Sequence, residues 1–463
     1  MVRNLRLIGD TVTYASLMAS PTATLRKHLS APGLIATLRQ QFSQISDHRR
    51  AASIRYSLPD TLCAALAMFQ FKFPSLLRFD EACHQDDVRM GNLRRLYSLN
   101  EVASDTQMRS ILDPVKPAEL RKAFRAIHSS AQRGKVLEDF AIFDNQLLLS
   151  IDGTGLFSST KVSCPHCGVK KHQSGETSFY HQLLAAAIVH PDQKTVLPLD
   201  FEPIVRSDGD TKNDCERNAG KRLLDALNQQ YAKRSFIVLE DALAANGPHI
   251  QTLLDYAMSF IINIKPAGNA TLFEHMHERC QSGNAVEAEE ALDDGTRRGY
   301  RFAEDLPLND SHSTVRVNML EYWVVDKKGK TTNFSWITNL SINTENVHDI
   351  AQAARTRWAI ENGVFNTLKN QGYEFEHNYG HGKQYLSSTL AGLMLLAFLT
   401  DQLQNHACAL FKAARGRARV QKKMWETMRS IIELVDIPDW ETLWTLIARP
   451  GDKKAMLTVV DSG

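Results

Sequence analysis

Three acidic residues far apart in the chain, Asp152, Asp241 and Glu361, are of the type that holds a divalent metal. Asp152 closes the apolar run QLLLSI and Asp241 follows SFIVLE. Glu361 stands four residues after Arg357, which puts the two on one face of a helix. Carboxylate oxygens suit a hard ion such as Mg2+. Two such ions about 3.5–4 Å apart can clamp the attacking and leaving oxygens of a phosphodiester and lower the pKa of a water. Taken singly, each residue has an ordinary explanation: an Asp after a strand is usually a turn residue or a cap, and an exposed Arg/Glu pair contributes little. The order Asp, Asp, Glu on strand, strand and helix makes metal-assisted phosphoryl transfer the sharper reading.

Cys164-Pro165-His166-Cys167 is a C-x2-C knuckle with the spacing used for Zn2+. Two more ligands are needed for a tetrahedron, and His172, His181 and Cys215 are available. The set taken forward is Cys164, Cys167, His172 and Cys215, stapling the polar, basic interval from Lys161 to His172. The ordinary alternative is a pair of free surface thiols. Tyr322, Trp323 and Trp336 could stack on a flipped base, although an aromatic in an alternating strand is more often core. Lys412, Arg415, Arg417, Arg419, Lys422 and Lys423 form a basic run without an acid, and Gly380-His381-Gly382-Lys383 is a flexible basic loop. Either could approach a phosphate backbone or simply be solvated.

The elements that must position these residues alternate from residue 140 onward. Gln146–Ile151 is a continuous apolar run of the kind buried on both faces, and Gly153-Thr154-Gly155 after Asp152 suggests a turn at its end. His181–His190, Thr195–Leu199, Ser235–Leu239 and Ser259–Ile264 are further strands, with helices over Asp214–Arg234 and Ile250–Met258. This is an α/β signature, and both aspartates fall at carboxyl ends of strands, where open α/β sheets bind ligands. Between 270 and 340 the alternation lapses. An acidic helical piece is expected around Val286–Asp294, then strands over Gly299–Phe302, Val315–Val325 and Asn333–Thr338, the last two joined by a turn at Lys328-Gly329. The stretch Ala354–Lys369 is expected to be a helix, with Trp358, Phe365 and Leu368 supplying apolar contact on neighbouring faces. Before residue 135 the pattern is helical: Leu34–Ile45, a helix from Ser57-Leu58-Pro59-Asp60 onward, and another opened by Ser104-Asp105-Thr106.

At 463 residues, with 43% hydrophobic and 23% charged residues, the chain is a folded protein of more than one domain. A net charge of +2 announces no nucleic-acid partner, so local clusters such as Arg49-Arg50 must carry that argument. Seven scattered cysteines argue against a disulfide framework. The most apolar helix, Leu390–Leu399, is about half the length needed to span a bilayer, which makes cytoplasm the expected location and excludes a membrane partner.

Several segments resemble one family, the DDE transposases of bacterial insertion sequences: FSQISDHRR (42–50), Tyr56–Phe79, ASDTQMRSIL (103–112), SIDGT (150–154), LEDAL (239–243), FSWITNL (334–340) and RWAIEN (357–362). The resemblance implies an RNase H-like catalytic core with Asp152, Asp241 and Glu361 as the first, second and third carboxylates, holding two Mg2+ or Mn2+ ions. Of the related signature Y-x2-R-x3-E-x6-K, Arg357 and Glu361 match, Ala354 stands at the Tyr position, and Leu368 stands at the Lys position with Lys369 next. Arg357 and Lys369 are implied as phosphate contacts, and Arg49, Arg50, Lys383, Arg415 and Arg417 are further candidates for DNA. The implied partners are double-stranded DNA (terminal inverted repeats and target) and further copies of the chain on paired ends, in a nucleoid-associated, cytoplasmic enzyme. Hydrolysis would expose 3′-OH ends that then attack target DNA. A nuclease of the same fold that does not join strands is the alternative. A domesticated DNA-binding protein is another, against which the intact acidic set speaks. The expected organisation is an all-helical domain over 1–135, the α/β RNase H-like core over 136–268, a β-rich insertion over 269–343, completion of the core over 344–405, and a helical basic region over 406–463.

Overall fold

Aliphatic runs without polar relief build the middle of a mixed sheet in the computed structural model, which describes residues 26–84, 87–209 and 211–461. The expectation of an irregular N-terminus falls mostly outside those residues. The first strands are β1 (Ala141–Ile142), β2 (Gln146–Ser159), β3 (Gly168–Lys171), β4 (Thr177–Val189) and β5 (Leu197–Ile204). Then come β6 (Phe236–Glu240), β7 (Ser259–Asn263), β8 (Val286–Ala291), β9 (Arg297–Pro307), β10 (Arg316–Val325) and β11 (Thr331–Thr338). Their order is β3-β4-β2-β6-β7-β11-β10-β9-β8, with β1 on β2 and β5 on β4. The pairs β2/β6 and β6/β7 are parallel and the rest antiparallel.

Two expectations change here. The strand through Asp152 does not turn at Gly153. Its antiparallel partner β4 keeps pairing, with Asp152 opposite Ala185 and Gly155 opposite Gln182. What stops is the parallel neighbour, whose last rung with β2 is Ser150 opposite Leu239. Asp152 therefore sits where one edge of β2 becomes free. The acidic piece at Val286 is a strand, not a helix: Glu287, Glu289 and Glu290 face Arg301, Arg297 and Arg298 across β8/β9 in ion pairs. Cross-strand charge pairing is the sheet counterpart of the helical i,i+4 pair. Strands β8–β11 extend the central sheet through β11 on β7. Their aromatics are largely core: Tyr300, Tyr322, Phe334 and Trp336 form a stacked ladder.

Helices cover the N-terminal third: α1 (Ala31–Phe42), α2 (Leu58–Gln70), α3 (Leu76–His84), α4 (Asp87–Tyr97), α5 (Asp105–Leu112) and α6 (Arg121–Arg133). Ser57 caps α2 by accepting the Asp60 N–H at 3.1 Å, with Pro59 inside the first turn. Behind the sheet run α7 (Lys212–Tyr231), α8 (Gly247–Asp255) and α9 (Ala270–Gln281). The chain then passes through α10 (Val347–Arg355), α11 (Asn366–Asn370) and α12 (Leu386–Ala407) to α13 (Ala409–Arg417), α14 (Gln421–Leu434), α15 (Trp440–Ala448) and α16 (Lys453–Asp461). Helix α12 is apolar and long enough to cross a membrane, yet it is the hub of the core, packed on α2 and β5.

One buried ion pair ties the first helices to that hub. Lys72 Nζ donates to Asp401 Oδ2 at 2.7 Å and to the Gln70 carbonyl at 2.9 Å, and lies over the rings of Tyr373 and Trp425. Tyr373 Oη donates to the same carboxylate at 2.6 Å. Removing the ammonium would leave Asp401 buried beside one phenol. Lys72→Met should therefore destabilise the chain by about 3–5 kcal/mol, and adding Asp401→Leu should recover part of that. Denaturant unfolding of the three proteins checks this; a single-variant loss under about 1 kcal/mol would refute it.

Candidate active site and a cysteine–histidine cluster

The segment from Ala354 to Lys369 is helical but not regular. After α10 it tightens into a 3-10 turn at Thr356–Trp358, widens into a π turn at Ile360–Phe365, and resumes as α11. Such mid-helix irregularities commonly mark functional sites. Ser150 Oγ, fully buried on β2, donates to the Arg357 carbonyl at 2.9 Å and anchors the irregular turn to the strand. A side chain at Gly363 would come within 2.5 Å of Val196, so the close approach of the π turn requires glycine there. Phe365 and Leu368 are buried as expected, whereas Trp358 is 55% exposed.

This geometry brings Arg357 between two acids 209 residues apart, Asp152 and Glu361. Its Nη1 donates to Asp152 Oδ2 at 2.9 Å and its Nη2 to Glu361 Oε1 at 2.9 Å. Asp241 follows β6 and is exposed; its Oδ1 accepts the Leu243 N–H at 2.9 Å. Asp152 and Asp241 line one cavity together with Glu216 from α7, and with Glu240 and His249, which pair at 2.6 Å. Burial above all pushes the Asp152 carboxyl up to about 7; its contact with Glu361 adds to the rise and Arg357 opposes it. Glu216 is also pushed up, by burial and by Asp241. A cavity rim of hard oxygen donors, with two carboxyls driven toward neutrality, is a site short of positive charge and suits a divalent cation. Glu216 and His249 carry no motif, and only the packing of α7 and α8 against the sheet reveals them.

The cysteine knuckle finds partners other than the expected ones. His181 Nε2 lies 3.4 Å from the sulfurs of both Cys164 and Cys167, and His381 Nε2 lies 3.4 Å from Cys167. His172 is exposed, its Nε2 on Ser178 Oγ at 2.8 Å. Cys215 faces the Arg206 and Gly209 carbonyls from the first turn of α7. The β3/β4 hairpin turns His172 away, and the start of α7 holds Cys215 apart. His181 was among the available ligands; His381, flanked by Gly380 and Gly382, is drawn in from a remote loop.

Among the basic candidates, Arg50, Lys383 and Arg417 are exposed and Arg415 is half-buried. Arg49 is folded back on Asp47 at 2.7 Å and on the Tyr56 carbonyl at 2.8 Å, which makes it a turn-holding residue in this structure. Lys369 pairs with Glu376 at 2.8 Å.

The family described as "Transposase DDE domain" matches residues 148–399, more than half of the chain. The chain belongs to the DDE transposases. The matched span opens on β2 just before Asp152 and closes in α12, so it takes in Asp241, Arg357 and Glu361 as well. Among curated proteins none matches. DDE transposases act on DNA and use divalent metals, generally Mg2+.

The raised Asp152 carboxyl has a direct consequence for stability. Its folded-state value lies above the ordinary 3.8, so the folded chain holds this proton more tightly than the unfolded chain. The group favours folding fully below about pH 4 and loses that contribution as the pH climbs to about 7. In Mg2+-free buffer, the stability of Asp152→Asn relative to the parent should rise across that window by up to about 1.4 kcal/mol per pH unit, then level off. Unfolding both proteins from about pH 4 to about pH 8 measures this; a difference that does not vary with pH would rule it out.

Proposed function

We propose that this DDE transposase cleaves DNA at the ends of an insertion sequence and joins the freed 3′-OH ends to target DNA, with Asp152, Asp241 and Glu361 as its acidic triad. The observation that carries the reading is the convergence of Asp152 on β2 and Glu361 on the π turn through one guanidinium, with Asp241 on the same cavity as Asp152. The strand order β5-β4-β2-β6-β7, antiparallel on one side of β2 and parallel on the other, supports an RNase H-like core.

The three carboxylates would hold two Mg2+ or Mn2+ ions, which supply charge neutralisation at the scissile phosphate and lower the pKa of the attacking water or 3′-OH. Asp152, whose carboxyl is pushed up to about 7, would hold a cation in its deprotonated form. Arg357, once relieved of the two carboxylates it bridges, would contact a phosphate with its forked donors. Exposed Arg50, Lys383 and Arg417 and half-buried Arg415 would contact the backbone of the inverted repeats, with the helices before residue 135 as the DNA-reading part. Pairing of two ends calls for a dimer or larger assembly.

In a plasmid excision assay and on end-bearing DNA in Mg2+, Asp152→Asn, Asp241→Asn and Glu361→Gln should each lower cleavage by at least about a hundredfold. Gel-shift binding should persist in all three. Full cleavage by Glu361→Gln would refute the triad, and cleavage without joining by the parent would favour the nuclease.

A further inference from the structure

Cys164, Cys167, His181 and His381 come from three segments: the turn between β2 and β3, strand β4, and the loop between α11 and α12. Their ligand atoms all lie within 4.8 Å of one another. The sulfurs are 3.7 Å apart, and each His181 and His381 contact to sulfur is 3.4 Å. Metal–sulfur bonds of about 2.3 Å and metal–nitrogen bonds of about 2.0–2.1 Å at tetrahedral angles put sulfurs about 3.8 Å apart and sulfur and nitrogen about 3.6 Å apart. A disulfide would need about 2.05 Å. The cluster has the dimensions of a tetrahedral zinc site.

We propose that these four side chains bind one structural Zn2+ that clasps the strand bearing Asp152 to the loop following the Glu361 turn. Four protein ligands fill the tetrahedron, which is the structural arrangement and leaves no open position for chemistry. The surroundings are built for it. The Cys164 N–H points at Cys167 Sγ at 3.4 Å and holds the knuckle's two sulfurs on one side of the turn. A side chain at Gly168 would strike the Tyr180 ring at 2.5 Å, so the knuckle can lie flat on β4 only with glycine there. Phe157 from β2 packs its ring against both imidazoles and helps shield the cluster from water.

The remote ligand is presented by a loop already held in place. Gly382 has φ +70°, and a Cβ there would run into the Asp113 carboxylate. That carboxylate accepts the backbone N–H groups of Lys383, Gln384 and Leu386. The helical N-terminal third thus sets the loop, and the cluster joins it to the sheet. This inference stands on its own ligands and does not depend on the transposition chemistry.

Metal analysis of the full-length, untagged chain should find about one zinc per chain, removable by a strong chelator and restored by Zn2+ but not by Mg2+. Co2+ loading should give the tetrahedral d–d bands and a thiolate charge-transfer band. Cys167→Ser and His381→Ala should weaken zinc binding by at least the roughly tenfold that even outer-shell changes bring, while His172→Ala and Cys215→Ser should not. Zinc removal should speed tryptic cleavage at Lys161, Lys170 and Lys171. A zinc-free parent chain would overturn the site. Undiminished zinc in His381→Ala, or an unchanged tryptic rate, would overturn the clasp. If Cys167→Ser does not fold, His381→Ala and chelation of the folded parent still decide the matter.

Discussion

Two carboxylates brought close together repel each other, and in this chain a single guanidinium holds Asp152 and Glu361 together. Arg357 gives one arm to Asp152 and the other to Glu361, at equal distance. An i,i+4 Arg–Glu pair on an ordinary surface helix would contribute little. Here the guanidinium is only 10% exposed and its second acid comes from a buried strand, so the pairing fixes a long-range approach. The same positive charge cannot fully offset the burial of Asp152, whose carboxyl stays well above its usual range. The acids are thus brought together with less positive charge than would keep Asp152 ionised at its usual pH.

The helix around Arg357 departs from regular winding because of what surrounds it. In a regular α-helix the Arg357 carbonyl would be taken up by the next turn. Where the winding passes from 3-10 to π, that carbonyl accepts the Ser150 hydroxyl as well as the Ala359 N–H, which ties the turn to β2. Gly363 lets the wide turn settle onto Val196 at the start of β5. Trp358, in the 3-10 turn, is left exposed.

How much of this could be read from residues alone depended on whether the decisive partner was local. The apolar runs ending at Asp152 and Asp241 named their strands correctly because burial on both faces forces continuous aliphatic composition. The Gly153-Thr154-Gly155 turn failed, since pairing with β4 along the free stretch of β2 outweighs the turn tendency of two glycines. The Val286–Asp294 helix failed for the same reason: its glutamates pair with arginines on a strand that begins after a tight turn. Glu216 and His381 were beyond reach because each arrives by packing of a separate element, and neither periodicity nor spacing records that.

Strand β2 connects these observations. Its first half is locked between β4 and β6, and its second half leaves β6 behind and keeps only β4. Beyond Ser150 the strand is held on one edge alone, by β4 as far as Ser159 opposite Phe179. Phe157 and the Cys164/Cys167 knuckle lie at that far end, against His181 of β4 and against His381 of a loop set by Asp113. The segment bearing Glu361 is fixed from both sides in turn, by Ser150 before it and by the His381 loop after it. Two anchors outside the acidic site therefore add to the Arg357 bridge in fixing the separation of Asp152 and Glu361. Loosening either one would shift a carboxylate without altering any of the three acids, and the function of a site depends on its groups being held within about 0.5 Å by such supports.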